Sequence, residues 1–416
     1  MEKEQHNLDI ILKKIKEGLS KALYLSSSNG TKPHTEEIKY INKQVQDLIA
    51  SQNLTGILLP RSLKPRLLFD FPDTQHFFNL NIIQYKGLNN IRIDKLNKIN
   101  IFAGENNSGK TSVLEAIRLL MAQNDANDFL ALQQLRGKFP EGKLSPSWLI
   151  NNIPYMSSVE GEFGVEKSIA KVDIATYRKD DGNLNSANYL ESAYFEGSFK
   201  GMEYNSNLHL FEKKEDNYTI STTKGLHNLC AFAYYSPFGG YRNTQLYNAH
   251  ATSIEKRHLT KVINFLKDNI DDKIVNILLV EKNGLKRFLV EHVDFDEAID
   301  LVHFGDGLQN IFRTALLFAT AENGVMLIDE MGTAIHYSLL TQYTKFIQQL
   351  AEAFNTQVFI TSHSDECIDA FVDNDYKNDD ISMYNLEVNE GKVLCKYMSG
   401  NRFRELNELV GIDLRK

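Results

Sequence analysis

Apolar residues recur at helical spacing through residues 7–25, where Leu8, Ile11, Leu12, Ile15, Leu19 and Leu23 share a side and Lys13, Lys14, Lys16 and Lys21 are interleaved. The spacing predicts an amphipathic helix with a solvated lysine face. The polar run Ser26 to Pro33 predicts a flexible linker, after which Thr35 caps a second helix carrying Ile38, Ile41, Val45, Leu48 and Ile49. Together they predict a small N-terminal helical extension over residues 1–70. From Phe77 the texture changes to strands, at Phe77 to Tyr85, Ile91 to Leu96 and Ile99 to Ala103. A helix follows, and the pattern is then irregular until Ser168. Beyond it Ala170 to Tyr177 alternates apolar and polar residues, as a half-solvated antiparallel sheet requires. Tyr189 to Tyr204 and Leu208 to Ile220 continue in the same style, with turn signals at Asp180-Asp181-Gly182 and Lys214 to Asn217. A helix is predicted over Thr252 to Asn269, with Ile254, Leu259, Val262, Ile263 and Leu266 as its apolar side. Ile274 to Val280 and Arg287 to Glu291 predict a hairpin around Lys282-Asn283-Gly284.

The most specific chemistry sits between the strand ending at Ala103 and the next helix. Gly104-Glu105-Asn106-Asn107-Ser108-Gly109-Lys110-Thr111 fits the phosphate-loop pattern G-x-x-x-x-G-K-[ST]. The following Ser112 to Leu120 places Val113, Leu114, Ile117 and Leu120 on one helical face. In such a loop the backbone N–H groups turn inward onto phosphate and the helix N-terminus adds its partial positive charge. Gly104, Asn106, Asn107, Ser108, Gly109, Lys110, Thr111 and Ser112 are therefore assigned to the nucleotide, with Lys110 on the β- and γ-phosphates and Thr111 on magnesium. Asn97-Lys98-Ile99-Asn100 lies before the loop, where a guanine-reading motif has no role, so adenine is the expected base.

Three later elements extend this site. Gly324 to Glu330 predicts a buried strand ending in two carboxylates, of which Asp329 would hold magnesium and Glu330 would polarise the attacking water. Gln357 to Thr361 predicts another strand, ending at Ser362-His363-Ser364, where His363 would donate to the γ-phosphate or orient the water. Gly305-Asp306-Gly307 opens a helix one element before the Asp329 strand and offers a further anion site. Compact phosphate-loop enzymes place their second metal element much sooner than Asp329 follows Lys110, so a large inserted lobe is expected over about 121–300.

Composition narrows the setting. With 416 residues the chain has room for two or three domains. A net charge of -8 and a pI near 5.8 leave space only for a local nucleic-acid patch. Cys230, Cys367 and Cys395 show no C-x-x-C spacing and are expected to be buried, reduced residues of a cytoplasmic protein. The N-terminus carries no apolar leader core, and no apolar run is long enough to span a membrane, so no membrane partner is expected.

Gly104 to Thr111, Gly305-Asp306-Gly307, Val325 to Glu330 and Thr361-Ser362-His363-Ser364, taken in that order, resemble the ABC-type ATPase heads of AAA-domain proteins. These are related to the overcoming-lysogenization-defect family and to structural-maintenance-of-chromosomes proteins. The resemblance runs from about residue 77 to the C-terminus. It implies an α/β phosphate-loop head over 77–416 with an antiparallel β lobe and a helical lobe, binding ATP and magnesium. It further implies a second copy of the chain as partner, because paired heads of that family sandwich ATP between one phosphate loop and the other's signature element. Lys110, Glu330 and His363 would then be catalytic, Thr111 and Asp329 would hold magnesium, and Gly305, Asp306 and Gly307 would approach the partner's γ-phosphate. The chain departs from the pattern at His303-Phe304, where the family carries a serine, and at Met331 to His336. The segment after His363 is too short for the Toprim nuclease of full-length relatives. The functional expectation is an ATPase that dimerises on ATP and controls a separate effector such as a nuclease or toxin in bacterial anti-phage defence. The alternatives are a nucleotide-gated scaffold with little turnover and a DNA-repair ATPase.

Overall fold

The computed structural model describes residues 57–58, 65–68, 76–137, 145–177, 189–212, 218–237, 242–282, 285–332, 335, 337–374 and 376–415. The chain divides into two compact units, 1–58 and 59–416. Of the first, the extended pair Ile57–Leu58 is described. The two predicted N-terminal helices lie outside the described residues.

The second unit is built on a six-stranded sheet whose members are drawn from distant parts of the sequence. Its strands are β3 (Ile99–Ala103), β9 (Phe232–Tyr235), β12 (Val325–Ile328), β13 (Gln357–Ser362), β14 (Ile381–Asn389) and β15 (Lys392–Ser399), in the order β9-β12-β13-β3-β14-β15. All neighbours are parallel except the final β14/β15 hairpin. The strands β3, β12 and β13 are buried throughout, as the continuous apolar runs in the sequence require of a sheet covered on both faces. Successive side chains serve opposite cores. Ile101, Ile328 and Ile360 enter one, while Phe102, Leu327 and Phe359 enter the other.

One face is covered by helices, chiefly α6 (Gly305–Thr320) and α7 (Leu340–Ala353). Against the other lies α1 (Lys110–Ala122), which is buried on nearly every side. Its outer side meets an antiparallel sheet of β1 (Phe77–Tyr85), β2 (Leu88–Ile93), β4 (Met156–Phe163), β5 (Ser168–Tyr177), β6 (Tyr189–Phe199), β7 (Met202–Phe211) and β8 (Tyr218–Thr222). These run in the order β8-β7-β6-β5-β4-β1-β2. In β5 the buried positions Ala170, Val172 and Ile174 are those of the alternation read in the sequence. The predicted phosphate-loop head with an antiparallel β lobe is thus the observed fold. No helix among the described residues is long and apolar enough to cross a membrane.

The predicted hairpin is β10 (Ile274–Lys282) and β11 (Leu285–His292), an antiparallel pair. Several local expectations are corrected. The helix predicted over Thr252 to Asn269 is two, α4 (Arg242–Glu255) and α5 (Leu259–Asn269). The chain breaks at Arg257, which takes φ 60°, a left-handed turn that arginine does not advertise. As a result Ile254 is exposed, whereas Val262, Ile263 and Leu266 are buried as predicted. The segment Tyr189 to Tyr204 holds a hairpin. Lys200 and Gly201 form its two-residue loop, both with positive φ, as a turn matching the strand twist requires. The second strand starts at Leu88, earlier than Ile91, because Lys86-Gly87 turns the chain tightly. Two helices, α2 (Ala126–Gly137) and α3 (Pro146–Asn152), and the strand β4 occupy the stretch without a readable period. In α2 the fully buried Gln133 interrupts any apolar stripe. All three cysteines are free thiols. Cys230 and Cys367 are buried as expected, and Cys395 is only partly so.

Candidate functional site

The strand order places the C-terminal ends of β12, β13 and β3 side by side, the edge at which ligands bind in open α/β sheets. Residue pairs Ile328/Ile360 and Ser362/Ala103 are in register, so each strand delivers its following residues to one crevice. Asp329 and Glu330 follow β12, His363 follows β13 and the phosphate loop follows β3.

The loop demands its glycines sterically. A Cβ on Gly104 would stand 2.4 Å from the Leu386 carbonyl oxygen and 2.7 Å from Ser108 Oγ. Gly109 lies at φ 96°, beside Asn107 at φ 65°. No side chain caps the start of α1, which leaves its first N–H groups directed toward the loop's concavity. Glu105, Asn106 and Asn107 are exposed, and Ser112 is half-buried. Ser108 Oγ is buried without a hydrogen-bond partner. Lys110 Nζ donates to the carbonyls of Gly104 and Glu105, both at 2.9 Å, and so arches over the loop. Burial lowers its pKa, while the carboxylates of Glu330 and Asp329 oppose that shift.

Asp329 is held from three sides. Thr111 Oγ1 donates to its Oδ1 at 3.0 Å, Thr361 Oγ1 to the same oxygen at 2.7 Å and Tyr234 Oη to Oδ2 at 3.1 Å. Burial raises its pKa, and the hydrogen bonds from Thr361 and Thr111 counter that rise. Two oxygen donors of the kind magnesium takes, Thr111 Oγ1 and Asp329 Oδ1, are thereby in contact beside the phosphate loop. With the unpartnered Ser108 hydroxyl and the glycine cradle, this donor set fits a magnesium nucleotide.

Glu330 takes φ 50° and its N–H donates to Thr361 Oγ1 at 2.9 Å, so one threonine fixes both acidic residues. The Glu330 carboxylate meets Nδ1 of His363 in a direct hydrogen bond. The backbone of His363 is itself held, because Arg415 Nη1 donates to its carbonyl at 3.2 Å while the same guanidinium pairs with Asp365 and Asp413.

The structure thus brings together Lys110, Thr111, Asp329, Glu330 and His363, five predicted residues from three segments. Gly305 and Gly307 lie at the start of α6, Gly305 with φ 79°, and no hydrogen bond among the described residues joins them to that group. The side chain of Asp306 and His336 lie outside the described residues. Sequence reasoning missed Tyr234, Thr361 as a ligand of Asp329, and Arg415. Thr361 sits at the C-terminal end of a recognised buried strand, a signal that was available, whereas Tyr234 and Arg415 carried none.

Residues 99–369 match the family model described as "AAA domain, putative AbiEii toxin, Type IV TA system". The chain is 23% identical over 322 residues to an ATP/GTP phosphatase of Helicobacter pylori, which covers 70% of this chain and 86% of that protein. An uncharacterised protein of Methanocaldococcus jannaschii is 32% identical over 112 residues, 27% of this chain and 98% of its own length. Among solved structures, an Smc head bound to the C-terminal winged-helix domain of ScpA is similar at 11% identity with a TM-score of 0.43, covering 78% of this chain and 98% of that one.

Proposed function

This chain belongs to the AAA-domain family whose model spans residues 99–369, and on that premise we propose that it is a magnesium-dependent ATPase subunit that pairs with a second copy on binding ATP. The observation that carries the proposal is the contact of Thr111 with Asp329, with Glu330 and His363 beside them at one sheet edge. Thr111 and Asp329 would hold magnesium, which would supply neutralisation of phosphate charge. Lys110 exchanges its two loop carbonyls for phosphate oxygens, a charge-assisted contact that is the stronger one. Glu330 accepts a proton from the attacking water, and His363 fixes its carboxylate and holds a second ring nitrogen for the γ-phosphate. The H. pylori relative is named an ATP/GTP phosphatase, which supports hydrolysis as the chemistry.

Gly305 to Gly307 would complete the site of the partner copy, as in the paired ATPase heads the chain resembles; among the described residues no hydrogen bond links Gly305 or Gly307 to Lys110. The pair then switches a separate effector, a nuclease or toxin, in anti-phage defence. That role rests on analogy with the family alone.

Replacing Glu330 by Gln tests the reading. Phosphate release should fall by at least a hundredfold while ATP-dependent assembly, followed by mass measurement, persists or strengthens. Unchanged phosphate release would remove Glu330 as the base and favour a nucleotide-gated scaffold.

A further inference from the structure

A cavity of about 350 Å³ lies along β9, the edge strand of the central sheet, and none of its lining comes from the phosphate loop. It is bounded by α1 and α2 on one side and by α4 and α6 on the other. Two arginines reach it. Arg118 uses Nε and Nη2 on the two carboxylate oxygens of Asp128, both at 2.7 Å. That side-on pairing leaves Nη1 on the opposite edge of the guanidinium, buried and without a hydrogen-bond partner, in a side chain only 8% exposed. Arg313, equally buried, donates Nη2 to Gln245 at 2.6 Å and lies over the Tyr235 ring at 4.7 Å. Among the described lining residues, Arg118 and Arg313 set two positive charges against the one negative charge of Asp128. Phe232, Leu135 and Leu317 supply apolar wall between these groups.

We propose that this cavity binds a small organic anion, a carboxylate or phosphate ester on an apolar body. The volume is in the range of ligand pockets, at about 300–1,000 Å³, and planar guanidinium groups recognise either anion. The cavity also borders the candidate ATP site. Arg118 stacks on the Tyr234 ring at 5.1 Å, and the hydroxyl of that ring is the donor to Asp329 Oδ2. An anion that draws on Arg118 therefore bears on the side chain that orients Asp329, which makes the cavity an effector site.

Calorimetric titration of the full chain without nucleotide tests this, using benzoate, phenyl phosphate and the neutral benzyl alcohol as probes. At least one of the two anions should bind with a single saturable site, and the one that binds identifies the ligand as carboxylate or phosphate. Ala131→Trp, which fills the cavity and keeps both arginines, and Arg313→Gln should each weaken that binding at least tenfold. Lys110→Ala should leave it within about twofold. The proposal is overturned by absence of saturable binding to the unaltered chain, by benzyl alcohol binding as well as the anions, by retained affinity in both cavity variants, or by loss with Lys110→Ala. Because no nucleotide is present, these outcomes do not depend on the ATPase reading.

Discussion

The hydroxyl of Tyr234 donates to Oδ2 of Asp329 at 3.1 Å, from β9 to the end of the adjacent parallel strand. Thr111 and Thr361 occupy Oδ1 of the same carboxylate. Asp329 is thus oriented by three hydroxyls, each contributed by a different strand or helix, in a setting too buried for water to do the same work.

Tyr234→Phe removes one of those hydroxyls and keeps the ring. Supporting groups of this kind shift metal affinity by about 10–100-fold when lost. The variant should need at least tenfold more magnesium for half-maximal phosphate release, with a stability loss of about 1 kcal/mol. A magnesium titration superimposable on that of the unaltered chain would refute a role for Tyr234 in the site.

His363→Ala strips the Glu330 carboxylate of its imidazole partner. The kcat for ATP should fall by about 10²-fold, with KM changed by less than about threefold. Arg415→Ala acts one step further out, through the His363 carbonyl and Asp365, and should lower kcat by a smaller factor. Its ion pairs are partly exposed, so melting should shift little. Equal kcat in all three proteins would show that neither residue positions Glu330 for the proposed reaction.

Glu115 on α1 is fully buried and accepts from Tyr85 Oη at 3.2 Å, Lys86 Nζ at 2.9 Å and Arg136 Nη2 at 2.6 Å. Truncation leaves two cations without their shared counter-charge. Glu115→Ala should cost about 3–5 kcal/mol in urea unfolding. Glu115→Gln, which keeps an acceptor for Tyr85, should cost less, and an order reversed between the two would contradict the charge argument.

Burial pushes Asp125 up to about 7 from an ordinary 3.8, with neighbouring Asp128 adding to the rise. The native state therefore keeps a proton that the unfolded chain has lost between about pH 4 and pH 7, so this group makes stability fall as pH climbs through that window and levels off above it. Asp125→Asn retains the side-chain acceptor for the Asn127 N–H and never ionises. It should raise Tm by several degrees at pH 8 and change it little at pH 4. A lower Tm for the variant at pH 8 would show that the charged form is the one the fold favours.

How much was legible follows from what each feature depends on. Gly104 to Thr111 was readable because a contiguous strand, turn and helix encode their own backbone geometry, and the steric limits at Gly104 and Gly109 are local. The buried strands ending at Asp329 and Ser362 were readable for the same reason, as short apolar runs closed by polar residues. The break at Arg257 and the turn at Lys200 were not, since left-handed backbone at such residues is decided by packing on both sides. The sequence by itself determined the fold class, the phosphate loop and five residues that the fold brings to one sheet edge. Only the tertiary structure decided that Tyr234, Thr361 and Arg415 serve those residues, and that Arg118 pairs side-on with Asp128 beneath a cavity. The physical reason is strand order. A parallel sheet assembled as β9-β12-β13-β3 brings into hydrogen-bond range side chains separated by long stretches of chain, and no local pattern records that order.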